Sequence, residues 1–130
     1  MHTILQPPEW ARPKGYSNGI LARGNETIYT GGLVGWDAQG RFTSADFVDQ
    51  VRTTLENIVA VLAEAGAGPE HLVRLTWYIT DRKAYHDNLP AIGSAYREVI
   101  GRHFPAMAVV EVSALMEDQA LVEIEATAVK

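Results

Sequence analysis

The clearest periodic pattern in the chain is a stripe of apolar residues that begins near residue 47. These residues recur at intervals of three or four positions, which is the spacing along one side of an amphipathic helix. They are Phe47, Val48, Val51, Leu55, Ile58, Val59 and Leu62. Thr43 or Ser44 can cap the first turn of this helix. Gly66 is expected to end it in the left-handed conformation, and Pro69 prevents its continuation.

After this helix, the period of the apolar positions changes. Residues 72–80 alternate between apolar and polar side chains, which predicts a β-strand with one buried face. A second amphipathic helix is predicted over residues 88–100, with Pro90 in its first turn. Two further strands, over residues 107–115 and 120–129, are predicted to close the chain.

The N-terminal part is predicted to contribute a β-hairpin. Residues 18–23 and 26–30 are short strand-like runs, and the Gly-Asn pair at 24–25 between them is typical of a tight turn. The residues before the hairpin are rich in proline and polar side chains, which indicates an extended lead-in. The predicted order is therefore β-β-α-β-α-β-β, an α+β fold in a single domain, residues 1–130, with two helices covering one sheet face.

Composition narrows the functional classes. The formal net charge is −5 and the basic residues are dispersed, so no basic stripe is available to neutralise nucleic-acid phosphates. The chain has no cysteine, which excludes a disulfide framework, a thiolate nucleophile and a sulfur-rich metal site. No apolar stretch approaches the roughly 20 residues that span a bilayer, and the N-terminus lacks the features of a signal peptide. We therefore expect a cytoplasmic protein with no nucleic-acid partner and no membrane association.

The last predicted strand carries carboxylates within an apolar sequence. Because side chains alternate faces along a strand, Glu123, Glu125 and Thr127 share the face opposite the apolar residues. Burying a carboxylate costs free energy unless it is paired, hydrogen-bonded or used in chemistry. This open sheet face, to which Glu111 is also assigned, must be solvated or covered by another subunit. Its mixture of apolar and acidic residues favours a homo-oligomer.

Several stretches of the chain resemble the RidA/YjgF family, in consistent order. They are KGYS at 14–17, IYTGG at 28–32, LENI at 55–58 with AG at 65–66, VRLTWYITD at 73–81, FPA at 104–106 and VEIEA at 122–126. Each motif is short, but together they extend over most of the chain. The sequence is therefore identified as a divergent member of this family.

This resemblance implies a chorismate-mutase-like fold and a trimeric barrel with ligand clefts at the three subunit interfaces. It also implies hydrolysis of reactive enamines and imines, such as 2-aminoacrylate, to a 2-keto acid and ammonia. No metal ion or organic cofactor is expected. The motifs further imply that Glu123 positions or activates the attacking water. Tyr16, Thr30 and Gly31 are expected to bind the substrate.

Met107 is the main departure from the family pattern. In catalytically competent members, an arginine directly after the Pro-Ala dipeptide holds the substrate carboxylate through a bidentate pair, and Met107 occupies that position here. Losing such a contact costs on the order of 2 kcal/mol of binding. Met107 is instead expected to form an adaptable apolar wall, which favours larger or less charged substrates, such as an amino-muconate-type enamine. Two smaller departures are Thr30, where serine is usual, and Gly32, where glutamine is usual.

Each candidate residue also has a purely structural interpretation. Glu123 could be satisfied by an arginine of another subunit or by backbone amides, and Glu125 is interpreted as structural. Tyr16 could close the cleft or pack on an edge of the sheet. Trp36 follows a glycine-rich loop, where it could wall a pocket or pack in the core or an interface. Met107 could be an ordinary packed strand residue.

Other polar residues offer further candidates for the site. Arg102 or His103, just before the Phe-Pro-Ala turn, could replace the lost positive charge. Asn88 is either an amide ligand or a helix cap. The four histidines lack the spacing of metal ligands, so they are interpreted as surface or packing residues and no metal site is predicted.

Two functional hypotheses of different classes follow. The first is a RidA-like hydrolase that deaminates a reactive enamine, imine or related metabolite, with a substrate preference altered by Met107. The second is a non-catalytic small-molecule-binding or metabolic sensor protein that uses the same cleft between subunits, and the missing arginine supports it. Ribonuclease activity is the least favoured class, because the chain is acidic and has no basic patch.

Overall fold

The computed structural model describes all residues, Met1–Lys130, and its centre is a five-stranded mixed sheet. The strands are β1 (Thr3–Leu5), β2 (Gly19–Leu21), β3 (Thr27–Tyr29), β4 (Leu33–Val34), β5 (Leu72–Ile79), β6 (Ala106–Glu111) and β7 (Val122–Val129). The helices are α1 (Phe47–Glu64), α2 (Arg82–Asp87) and α3 (Leu89–Val99). In the main sheet, β7 is antiparallel to β3, β4 and β5, and β6 runs parallel to β5 at one edge.

The helices cover one face of this sheet, as the apolar stripe predicted. Leu55 and Ile58 of α1 are fully buried against the apolar side of β5 and β7, where Trp77 and Ile124 lie. Burying each such side chain contributes about 1.5–3 kcal/mol to folding. The opposite face carries partly exposed polar and apolar residues and has no covering element. This α+β arrangement confirms the predicted fold class, and no helix is long and apolar enough to cross a bilayer.

The ends of α1 combine one confirmed prediction with one correction. Gly66 follows the helix with φ of +68°, the left-handed conformation that glycine adopts at low cost. The cap at the start is Asp46, whose side chain accepts a 3.0 Å hydrogen bond from the Asp49 backbone amide. Ser44 supports this cap by accepting from the Asp46 amide and donating to the Asp49 carboxylate. The prediction of Thr43 or Ser44 as the cap was therefore wrong by two residues or more.

The predicted N-terminal hairpin does not form. Instead, β2 pairs with β1, whereas β3 pairs with the C-terminal strand β7. The turn at 24–25 is held against the end of the chain, because the amides of Asn25 and Glu26 each donate a 2.8 Å hydrogen bond to the Lys130 carbonyl. A Cβ at Gly24 would lie 2.5 Å from that same oxygen, so the turn fits closely. The lead-in contributes β1, which pairs with β2 in place of the predicted hairpin partner.

The second helical segment consists of two helices. Asp81 caps α2 by accepting from the Ala84 amide, and Pro90 lies in the first turn of α3 as predicted. Asn88 stands between the helices, and its side chain donates to the Ala84 carbonyl at 2.7 Å. It makes no side-chain cap hydrogen bond for α3. The strand β6 ends at Glu111, four residues earlier than predicted.

Glu111 was assigned to the open face, and this assignment was wrong. The register pairs it with Ile79, whose side chain is buried on the helix side of the sheet. The Glu111 carboxylate accepts a 2.7 Å hydrogen bond from the Arg82 amide at the start of α2. It therefore satisfies a free backbone donor of that helix.

A buried amide side chain, Gln50, ties α1 to two loops. Its Nε2 donates to the carbonyls of Ser44 and Gln119 at 3.0 and 2.9 Å, and its Oε1 accepts from the Leu121 amide at 2.8 Å. Gln50 is only 1% exposed, so its amide group is shielded from water. The amide thus fixes where β7 begins relative to the helix.

Candidate functional site

Glu123 lies in the middle of β7, between Val34 of β4 and Tyr78 of β5. Its side chain is partly buried on the open face of the sheet, as the alternation along the strand predicted. It takes part in no hydrogen bond and no ion pair within the subunit, so the chain's own backbone amides do not satisfy it. One of the two structural interpretations is thereby removed, and an arginine of another subunit is the remaining one.

One glycine, Gly32, borders the Glu123 carboxylate. A Cβ at Gly32 would lie 2.2 Å from Glu123 Oε2, so only a residue without a side chain leaves the carboxylate in this position. Next to it, Gly31 has open space where its side chain would be. The backbone amides of both glycines are without hydrogen-bond acceptors in the subunit. The Gly31–Gly32 segment thus offers two free N–H donors, and Gly32 lies against the acidic side chain.

Glu125, the second acid on this face, has a partner. It accepts a 2.7 Å hydrogen bond from the Tyr78 hydroxyl. This hydrogen bond, together with desolvation and the charge of the two glutamates, raises the pKa of Tyr78 above its ordinary value. Tyr78 therefore remains protonated and a donor at neutral pH. Of the two glutamates, Glu123 is the one left available.

Replacing Gly32 with alanine is expected to lower any activity that depends on Glu123 by about 100-fold, because displacing a catalytic group by about 1 Å costs about that much. Stability should change little, since the clash involves the flexible end of one side chain. Gly19→Ala is the control, because Gly19 lies in β2, away from Glu123, and a Cβ there comes no nearer than 3.4 Å to another side chain. The measurement is kcat/KM for both variants together with their urea midpoints. Equal activity of the two variants would show that the position of the carboxylate is unimportant.

A cavity of about 510 Å³ lies on the helix side, between the edge of the sheet and the helices α2 and α3. Aromatic rings form much of its wall. Trp77 and Tyr85 meet edge to face with centroids 6.2 Å apart, and Tyr96 stacks on Phe104 at 5.7 Å. The Tyr96 hydroxyl donates to the His103 carbonyl at 2.5 Å. Burial raises the pKa of Tyr85 and of Tyr96, so both side chains are neutral in the cavity wall.

Tyr16 lies at this cavity because the next residue, Ser17, docks beside the start of the edge strand β6. The Ser17 amide donates to the Pro105 carbonyl at 3.0 Å, and the Ser17 hydroxyl donates to the Phe104 carbonyl. Gly15 has φ of +81°, a left-handed turn that other residues rarely adopt. The turn brings the half-exposed Tyr16 ring to the cavity wall.

Met107 also lines this cavity, on the opposite side of the sheet from Glu123. Its strand partner is Leu75, whose side chain is fully buried under the helices, and paired residues point to the same face. Glu123 instead pairs with Tyr78 on the open face. Within one subunit, Tyr16 and Met107 therefore form one group, and Gly31 and Glu123 form another.

Thr30 and Trp36 belong to neither group as ligand-facing side chains. The Thr30 hydroxyl donates to the Gly31 carbonyl at 2.8 Å and accepts from the Ala126 amide at 2.9 Å, so it is engaged within the subunit. Trp36 packs against Phe42 with ring centroids 5.8 Å apart. Its carbonyl accepts from the Asn57 side chain at 3.0 Å.

The cavity has two cationic side chains at its rim, and neither is among the residues considered from the sequence as replacement charges. They are Lys14 and Arg97. Arg102 and His103 are exposed and do not line the cavity. The sequence feature that could have pointed to Arg97 is its position one helical turn after Gly93. This spacing places both residues on one side of α3. No group of three or more His, Cys, Asp or Glu side chains is arranged to hold a metal ion.

The fold agrees with a known class of protein. The family model described as Endoribonuclease L-PSP matches residues 9–130, and the chain belongs to this family. Among proteins of similar sequence, a RutC family protein of Pyrococcus horikoshii is 36% identical over 115 residues, covering 88% of this chain and 86% of that protein. The 2-iminobutanoate/2-iminopropanoate deaminase of Capra hircus is 32% identical over 116 residues, covering 88% of this chain and 80% of the deaminase.

Solved structures show the same fold. A protein of the conserved Rid family from Yersinia pestis has a TM-score of 0.88 at 30% identity, covering 99% of this chain and 98% of that one. Escherichia coli TdcF with bound serine has a TM-score of 0.69 at 27% identity, covering 98% of both chains. The RidA/YjgF resemblance drawn from the motifs is thus confirmed, and the relatives include imine deaminases.

Proposed function

We propose that this protein is a cofactor-independent hydrolase that deaminates reactive imines and enamines, with Glu123 guiding the attacking water. The observation that carries the proposal is the partly buried Glu123 carboxylate, which has no partner in the subunit and lies against Gly32. The imine deaminase among the relatives supports the reaction type. TdcF with bound serine supports an amino-acid-like ligand.

In this mechanism the Glu123 carboxylate takes a proton from water as the water oxygen attacks the imine carbon. The C=N double bond becomes a single bond, its electron pair goes to nitrogen, and Glu123 returns the proton to that nitrogen. The carbinolamine then collapses: Glu123 transfers the hydroxyl proton to the amine nitrogen, the C=O bond forms as the C–N bond breaks, and ammonia departs from the 2-keto acid. The free amides of Gly31 and Gly32 are suited to donate to a substrate oxygen near the carboxylate.

A site that uses both groups of residues requires more than one subunit. Tyr16 and Met107 lie on the helix side of the sheet, whereas Glu123 lies on the open side. The proposed homotrimer would bring the edge and cavity of one subunit to the open face of the next. The uncovered acidic and apolar face is consistent with such an interface.

Met107 gives this proposal its altered substrate preference. The cavity it lines is walled by aromatic and aliphatic side chains and offers no cation at that position. A small 2-imino acid would lack the bidentate partner for its carboxylate, whereas a larger apolar body would gain contact with these walls.

The test is ammonia release from freshly generated imines by the wild type, Met107→Arg and the uncharged control Met107→Leu. The wild type should prefer 2-imino-3-phenylpropanoate to 2-iminopropanoate. Met107→Arg should raise kcat/KM for 2-iminopropanoate by about tenfold, the worth of a charge-assisted contact. Met107→Leu should leave the preference unchanged.

Two outcomes would contradict the proposal. Turnover by a stable monomer, shown by sedimentation at micromolar concentration, would exclude a site built between subunits. Saturable binding without turnover of any imine would favour the second candidate, a small-molecule-binding or sensor protein, which the apolar cavity around Met107 specifically supports.

A further inference from the structure

We infer that Arg97, at the rim of the cavity, holds the carboxylate of the ligand, and that the site therefore takes long amphiphilic carboxylates. This inference extends the proposed function by naming the substrate class of the same site. The positive charge is supplied by helix α3 instead of strand β6, where Met107 stands.

The placement of Arg97 depends on the glycine one turn before it. A Cβ at Gly93 would lie 3.4 Å from Arg97 Nη1, so the guanidinium lies over the bare backbone of that turn. Both residues border the cavity. A larger side chain at position 93 would crowd the guanidinium away from the cavity rim.

Arg97 has no anionic partner of its own. Arg52 pairs with Glu98 and Arg41 with Asp37, but Arg97 takes part in no ion pair or side-chain hydrogen bond. Lys14 at the same rim is also without one. The planar guanidinium presents a fork of donors that matches a carboxylate, so Arg97 is the better suited of the two cations.

The lining and the volume of the cavity determine what the rest of the ligand can be. Nine of its thirteen lining residues are hydrophobic, and its volume of about 510 Å³ lies within the range of small-molecule sites, roughly 300–1,000 Å³. With the carboxylate at the rim, an aryl or branched aliphatic body can pack on Leu89 and Met107. A three-carbon imino acid is too short to use both ends.

Binding of two matched probes tests this assignment without any turnover. The probes are 4-phenylbutanoate and the uncharged 4-phenylbutanamide, titrated by calorimetry and by the NMR signal of the Trp77 indole N–H. That N–H is buried without a hydrogen-bond partner in the cavity wall, so its signal reports on occupancy. The wild type should bind the carboxylate about tenfold more tightly than the amide.

Arg97→Gln should abolish this discrimination while keeping the affinity for the amide. Arg102→Gln is the matched control, because Arg102 is exposed, close in sequence and away from the cavity, and it should keep the full discrimination. Discrimination retained in Arg97→Gln, or lost only in Lys14→Gln, would overturn the assignment to Arg97. Saturable binding of neither probe would overturn the substrate class.

The binding experiment on Arg97 and the ammonia-release experiment can fail independently of each other. If the wild type releases no ammonia from any imine but Arg97→Gln loses discrimination, the inference stands and the hydrolase proposal fails. If imines are hydrolysed but Arg97→Gln discriminates as the wild type does, the hydrolase proposal stands and the inference fails.

Discussion

Replacing Glu123 with glutamine is expected to reduce imine hydrolysis by about 10²–10⁴-fold, the usual contribution of a positioned general base. Glutamine keeps the size of the side chain and its place beside Gly32, but it cannot accept a proton from water. Stability should be nearly unchanged, because the carboxylate makes no hydrogen bond or ion pair in the subunit that the substitution would remove. The measurement is single-turnover ammonia release at saturating imine, which separates chemistry from binding.

Glu125→Gln provides the matched control on the same strand and the same face. Its side-chain oxygen can still accept the hydrogen bond from the Tyr78 hydroxyl, so the sheet face keeps its arrangement. Its rate should stay close to that of the wild type. Equal rates for Glu123→Gln and the wild type would remove Glu123 from the mechanism. Equal losses in both glutamine variants would indicate that the face needs net negative charge and no particular base.

The largest expected effect on stability comes from Gln50→Leu. Leucine fits the buried volume but leaves the carbonyls of Ser44 and Gln119 and the amide of Leu121 without their partner. Each of these hydrogen bonds contributes about 1 kcal/mol, so the free energy of unfolding should fall by about 3 kcal/mol. Urea denaturation followed by circular dichroism measures this change.

Gln119→Leu is the control for that experiment, because Gln119 contributes only its backbone carbonyl to the Gln50 amide and its side chain is exposed. Its urea midpoint should stay near that of the wild type. A Gln50→Leu variant as stable as the wild type would mean that water satisfies the three backbone groups.

The helices and central strands could be predicted because their apolar periods follow directly from burial on one side. The stripe from Phe47 to Leu62 faces the sheet as its spacing required. The pairing of the N-terminal strands could not be predicted. The sequence at 24–25 favours a tight turn, but local preference does not reveal that the turn would be held by the distant carbonyl of Lys130.

The site could be predicted only in part, because it too depends on contacts between distant parts of the chain. Alternation along β7 correctly places Glu123 on the open face. The face occupied by Met107 depends on the register of β6 against β5, which a single sequence does not encode locally. Arg97 was missed because its position depends on a neighbouring helical turn that lacks a side chain at Gly93.

The main sheet separates the cavity that Met107 lines from the open face that carries Glu123. Substitutions on one side of the sheet are therefore separated from substitutions on the other. Substitutions among the rings and aliphatic groups of the cavity do not disturb the packing around the acid, because no side chain belongs to both sides. Substitutions near Gly32 likewise leave the cavity walls in place. Such a chain can acquire new ligands on one side while the other side retains its chemistry, and a change of residue at Met107 is the kind of change that this separation tolerates.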